Sequence, residues 1–331
     1  MMAHILLHRL QFMVLVFYFA SKKYVSANTR TSKNNNNANE NNEECSRISP
    51  ENADARQQDG STTCKSNIDI RINDQQFKWN LDSEHNCNVK RMSLDELLDM
   101  FKGGLPPLYH EPLLIYNKNA DYSVPSPLTG CIHDAFTNKS SQSSITKILP
   151  DEFNVTLSSS NSFSAHRLTI PLTQYLDETI STETFPHQLS NETWYLFGET
   201  YSEEWKTFLH DFCLPPCQTC NQDLSALAFG IGGRGSGVQW HTHGPGFSQS
   251  IHGRKHWVLY PPKQKPVYDP DYTSRYWMEE TYMKMEEKDR PYECTLFPGE
   301  MIYFPDKWHH ATINLDPYTA FVSTFTTEHG F

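Results

Sequence analysis

Over residues 87–331, hydrophobic and polar positions alternate in short runs separated by turn residues. FNVTLSS (153–159) and HRLTIPL (166–172) carry the period of two that sends successive side chains to opposite faces, which predicts strands. SALAFGIGG (225–233) is apolar enough for a strand ending in glycine. Where the spacing changes to three and four, helices are predicted. SLDELLDMF (93–101) puts Leu94, Leu97, Leu98 and Phe101 on one side, with Ser93 and Glu96 in capping-box positions. LTQYLDETI (172–180) and EEWKTFLHDF (203–212) read as further helices, and PPLYHEPLLIYN (106–117) as a proline-interrupted approach to an edge strand.

Toward the C-terminus the pattern sharpens. Residues 238–243 have the texture of a strand, and FSQSIH followed by GRKHWVLYPP (247–262) reads as a hairpin turning at Gly253 and Arg254. TLFPGEMIYFPDKWHHATINL (295–315) predicts a turn at 298–299, a strand at 301–304, a turn at 305–307 and a second strand from Trp308. The insertion at 268–293 between these blocks reads as helical in part.

The N-terminal pattern is different. An apolar run from Phe12 to Ala20 is followed by the small residues VSA (25–27), which predicts a signal peptide over 1–27. The run is far shorter than the roughly 20 residues that cross a bilayer, so no membrane span is expected after signal cleavage. Lys22 and Lys23 leave an uncleaved anchor as the alternative, and a buried N-terminal strand is another. Residues 28–86 are polar and asparagine-rich, a composition that cannot bury enough apolar surface to offset chain entropy, and read as a disordered linker. Residues 87–331 then form one domain.

Charge and cysteine content narrow the compartment. The 331-residue chain has a formal net charge of −11, the wrong field for coating phosphate backbones, so nucleic acid is not an expected partner. Eight cysteines suit disulfides in an oxidising lumen, and sequons at Asn138, Asn154 and Asn191 suit glycosylation there. The expected location is the endoplasmic reticulum lumen; the ending TEHGF is not a KDEL-like retrieval signal, which keeps secretion as the alternative. In DFCLPPCQTC (211–220), Cys213, Cys217 and Cys220 invite zinc, but a fourth ligand at finger-like spacing is missing. A local disulfide plus one long-range bridge is the plainer account. A redox pair in CQTC is a third reading, although nothing places it at a helix start where its thiol would be acidified.

Histidines carry the candidate chemistry. In a strand over 238–243, His241 and His243 share one face and can converge on one ion. Period two puts His310, Thr312 and Asn314 on one face of the last strand named above, and His309, Ala311 and Ile313 on the other. Lys255, Trp257 and Leu259 share a face of their strand, and an inward lysine there calls for an anion; an edge strand with Lys255 in water is the alternative. GIGGRG (230–235) matches a dinucleotide-binding spacing but leads into VQWHTH rather than a helix, so that role is rejected. The histidines have an ordinary reading too, packed near Trp240, Trp257 and Trp308 or hydrogen-bonded at a barrel mouth.

The ordered blocks WHTHGPGFSQSIHGRKHWVLYPP, ECTLFPGEMIYFPDKWHHATINLD and VSTF resemble the JmjC-domain family of cupin-type, iron(II)- and 2-oxoglutarate-dependent oxygenases. The resemblance implies a mainly β fold, a double-stranded β-helix (jelly roll) with flanking helices. It places metal ligands on His241, His243 and His310, with Lys255 and Thr324 at cosubstrate positions, and Fe(II) and 2-oxoglutarate as the cofactors. His243 stands where the family has a carboxylate ligand, Val238 where relatives often have a hydroxyl, and Thr324 in a block where they often have asparagine. These departures imply a non-catalytic or atypical lumenal protein acting as a protein-interaction or regulatory module. The alternative is a hydroxylase of a lumenal polypeptide. Either way the expected partner is a lumenal protein.

Overall fold

A computed structural model describes residues 79–83, 85–107, 109–118, 133–150, 152–160, 166–180, 193–198, 200–221 and 225–326. The predicted leader, most of the linker and the sequon at Asn191 lie outside these residues. Among the described residues, no helix is long and apolar enough to cross a membrane.

Twelve strands make up the framework: β1 (Lys90–Ser93), β2 (Leu113–Tyr116), β3 (Asn154–Ser159), β4 (Arg167–Pro171), β5 (Trp194–Phe197), β6 (Ser225–Gly232), β7 (Gly246–His252), β8 (Lys255–Tyr260), β9 (Tyr292–Leu296), β10 (Met301–Phe304), β11 (His309–Asn314) and β12 (Thr319–Thr326). Nine form one sheet in the order β1-β2-β10-β7-β12-β6-β5-β3-β4, and β11-β8-β9 form a second. The segment before β7 completes the second sheet. His241 and His310 exchange both backbone hydrogen bonds at 3.0 Å, Thr312 N–H donates to Val238 O at 2.9 Å, and Asn314 N–H to Ser236 O at 2.7 Å. Residues 236–241 therefore lie antiparallel along β11, and four strands face the four central strands β6-β12-β7-β10 of the large sheet. This is the jelly roll, with β1 and β2 added beyond β10 and β5, β3 and β4 beyond β6.

Both faces of the barrel sheets are covered, which is why every residue of β8 and β10 is buried rather than every second one. Outside the large sheet, α2 (His133–Lys139), α3 (Gln142–Ile148), α4 (Leu172–Gln174, continued by a π-helical turn to Thr179) and α5 (Glu203–Leu209) bury Phe136, Ile145, Tyr175 and Phe208 against β3, β5, β6 and β12. Outside the small sheet, α6 (Ser274–Glu280) places Trp277 and Met278 on Val258, Tyr260, Ala311 and Ile313. Helix α1 (Leu94–Met100) starts at the Ser93–Glu96 capping box, both of whose hydrogen bonds form.

Three expectations change. The strand in PPLYHEPLLIYN is β2, which is flanked on both sides, and β1 takes the edge. The stretch 247–260 is no hairpin: the turn at Gly253 carries the chain from the large sheet into the small one, so β7 and β8 pair with different neighbours. Packing also begins before residue 87, because Trp79 and Leu81 are buried in the same cluster as Trp240 and Trp277. A polar average over 28–86 hides this short apolar anchor.

The cysteine cluster forms a local disulfide, Cys217–Cys220, and Cys213 is disulfide-bonded as well, which displaces the zinc reading. A further bond, Cys87–Cys294, spans 207 positions and ties the segment leading into β1 to β9.

A three-histidine pocket inside the barrel

The pocket lies between the two sheets and is lined by His241, His243, Val238, Lys255, Trp257, Phe304, His310, Thr312, Phe321, Ser323 and Phe325, with Phe197 beside them. The structure brings His241, His243 and His310 together so that one ligand nitrogen from each lies within 4.8 Å of the others. Their ring centroids are 4.2 to 5.2 Å apart. The register explains this. His241 and His310 are direct partners across the sheet, and two residues along the strand His243 returns to the same face.

Each imidazole is held by a nearby carbonyl. His241 Nδ1 meets Gln239 O at 2.8 Å, His243 Nδ1 meets Gly244 O at 2.7 Å, and His310 Nδ1 meets Trp308 O at 2.9 Å. A carbonyl can only accept, so in every case Nδ1 carries the proton and Nε2 keeps its lone pair. This is how proteins orient metal-binding histidines, and it fits a divalent cation on three nitrogen donors. Burial holds all three rings neutral: it lowers His241 to about 3, lowers His243, and lowers His310 well below the ordinary histidine value. Mutual repulsion among the rings adds to the shift for His241 and His310.

Aromatic walls surround the cluster. Phe304 and Trp257 stack on His310 with centroids 4.9 and 5.6 Å away, while Phe304 and Phe325 meet His243 edge-on at 5.3 and 5.2 Å.

Lys255 enters the same pocket and is 1% exposed. Its strand is central, between β11 and β9, so the edge-strand alternative is overturned. The Nζ donates to Asn314 Oδ1 at 2.9 Å and stands 3.9 Å from the centroid of the Phe321 ring. Desolvation lowers its pKa to about 7. The pocket holds about 290 Å³ of space with its open mouth included, and its enclosed part has room for about one water. Phe321 fills much of the rest, and it fits only because Gly230 opposite has no side chain: a Cβ there would overlap the ring. That is one role for the glycines of GIGGRG.

Thr324 is not among the lining residues. It is fully buried on β12, on the face opposite Phe321, Ser323 and Phe325, and its hydroxyl has no hydrogen-bond partner among the described residues. Period two along VSTF separates Ser323 and Phe325 from Thr324, so alternation alone would have assigned the inward positions correctly. Phe321 and Phe304 went unrecognised as site residues because a phenylalanine in a strand reads as ordinary core.

A jelly roll with histidines converging on its interior defines a cupin-type metal pocket. The family described as a cupin-like domain matches residues 18–327, and the chain belongs to it. Over 171 residues it is 42% identical to JmjC domain-containing protein 8 of Homo sapiens, a match covering 52% of this chain and 64% of that protein. The Mus musculus protein of the same name is also 42% identical, with 52% and 62% covered. The matched part therefore spans somewhat under two thirds of these relatives. Over 97 residues the chain is 32% identical to 2-oxoglutarate and iron-dependent oxygenase JMJD4 of Danio rerio, covering 26% of this chain and 23% of that one.

Proposed function

We propose that this chain is an atypical member of the JmjC-type cupins that holds a divalent metal on His241, His243 and His310 and works in the lumen of the secretory pathway as a protein-interaction or regulatory module. The observation that carries the reading is the Phe321 ring over Lys255. The ammonium that would receive the far carboxylate of 2-oxoglutarate already faces an aromatic ring and an amide oxygen, in a pocket with little space left. Val238 supplies no hydroxyl beside it. The metal would be a structural or regulatory ion coordinated by imidazole alone, a donor set that suits zinc or copper as well as iron. For the lumen, support comes from the long-range disulfide Cys87–Cys294 and from the exposure of Asn138 and Asn154, two of the three sequon asparagines.

A second reading, hydroxylation of a lumenal polypeptide with Fe(II) and 2-oxoglutarate, is favoured by one specific observation. Among the described residues, buried Lys255 has no acidic partner, and the buried indole N–H of Trp257, another lining residue, has no acceptor. In this reading iron supplies oxidising chemistry with dioxygen, the three histidines hold it, and Lys255 and Thr312 orient the cosubstrate.

Metal content and 2-oxoglutarate binding of the full chain, purified anaerobically with Fe(II) or Zn(II), separate the two. About one metal per chain, lost in His241→Ala, with no measurable 2-oxoglutarate binding is the expected result. Stoichiometric 2-oxoglutarate binding that disappears in Lys255→Ala would replace the first reading by the second.

A further inference from the structure

Away from the barrel interior, the Cys217–Cys220 disulfide is built differently from Cys87–Cys294. Its ring spans a sequence separation of 3, so opening it frees almost no chain, whereas opening Cys87–Cys294 releases a closure of 207 positions. The segment is also clamped without its disulfide. Leu105 N–H donates to Pro216 O at 2.7 Å, Gln218 N–H to Leu105 O at 3.0 Å, and Cys220 N–H to Cys217 O at 3.2 Å. Gly104, at φ +99°, allows this approach, since any side chain there would meet the Pro216 carbonyl at 2.5 Å. The two sulfurs therefore stay near each other whether bonded or not.

Exposure points the same way. Cys220 is half-buried between exposed Gln218 and Asn221, while Cys213 and Cys294 are 1% and 0% exposed. The Cys217 sulfur lies 3.7 Å from the Thr219 hydroxyl, a donor able to stabilise a departing thiolate.

We propose that Cys217–Cys220 is a thiol–disulfide exchange site that accepts two electrons from a polypeptide dithiol in the same compartment. A client thiolate attacks Sγ of Cys220, the Cys217–Cys220 bond breaks, and Cys217 leaves as a thiolate that takes up a proton. The client's second thiolate then attacks the client sulfur of the mixed disulfide and releases Cys220 as a thiolate. The client gains a disulfide and the pair becomes a dithiol; a low-molecular-weight disulfide such as oxidised glutathione returns it to the starting state. The pair lies on a turn, and among the described residues no helix starts at it to acidify it, so exchange depends on access and rises with pH. This proposal does not depend on the metal pocket.

The test equilibrates the native full chain with glutathione buffers of graded ratio, quenches with acid, alkylates, and maps the cysteines by peptide mass, with circular dichroism followed in parallel. Cys217 and Cys220 are expected to label together while Cys87 and Cys294 stay protected and the spectrum holds. In oxidised glutathione, Cys217→Ser is expected to form a stable adduct at Cys220, and Cys220→Ser several-fold less at Cys217. Labelling of 217 and 220 only when the fold is lost, or in step with 87 and 294, would overturn the proposal.

Discussion

Lys255 and the three histidines share a condition: each is a base kept short of protons by burial. Lys255 falls from 10.5 to about 7, so between those values the unfolded chain binds a proton that the folded chain does not. Stability therefore rises as pH climbs from about 7 to about 10.5, and below 7 the full cost of burying the ammonium remains. Lys255→Met is expected to flatten that slope and to stabilise the apo protein near pH 7, by at most about 4 kcal/mol. Denaturant melts across this pH range check it; a slope unchanged in the variant would mean another group is responsible. Lys307 offers a simpler case. It is the one non-glycine among the described residues at positive φ, 60°, in the turn that delivers His310, and its N–H donates to His243 O at 3.0 Å. Lys307→Gly is expected to raise stability by about 1 kcal/mol, read from the denaturation midpoint, because glycine carries no steric penalty there.

At the scale of elements, the small sheet is backed by α6 and by the Trp79 anchor, so damage to that layer should reach the histidines on β11 from behind. Trp277→Ala removes an indole that is 2% exposed and packs at 4.9 Å against Trp240, and is expected to cost about 3–5 kcal/mol. If this layer holds the site, metal affinity falls as well, measured by competition with a chromogenic chelator. Ser93→Ala removes one cap of α1 and is expected to cost about 1 kcal/mol while leaving metal affinity unchanged, since α1 lies away from the pocket. These elements also show what the sequence could disclose. Strands with period two and the capped helix were legible because their signals are local, and the inward face of β11 followed from alternation. Sheet membership was not legible. Nothing local in FSQSIHGRKHWVLY says that the chain changes sheets at Gly253, and the edge position of β1 depends on pairing with residues 23 places on. In the site, the histidines stood out because their chemistry is rare; Phe321 did not, because only its distance to Lys255 makes it relevant.

For the whole molecule, Cys87–Cys294 fastens the segment leading into β1 to β9 and closes a loop of most of the domain. Its removal is expected to cost about 2–5 kcal/mol, seen as a lower denaturation midpoint for a Cys87→Ser, Cys294→Ser double variant. Expression through a secretory pathway is expected to add glycans at Asn138 and Asn154, each removable enzymatically with a matching mass shift; unmodified protein recovered from the medium would count against a lumenal life.

The paired backbone bonds between His241 and His310 make ligand geometry and strand register one and the same variable. If β11 slipped by a single residue against its neighbour, His309 would turn inward and His310 would face the helical layer, and the ion would lose its third nitrogen. A bound metal would thus proofread the closure of the barrel: occupancy would report that β11 has found its correct partner, and chelation during refolding is expected to slow the final step far more than the early collapse.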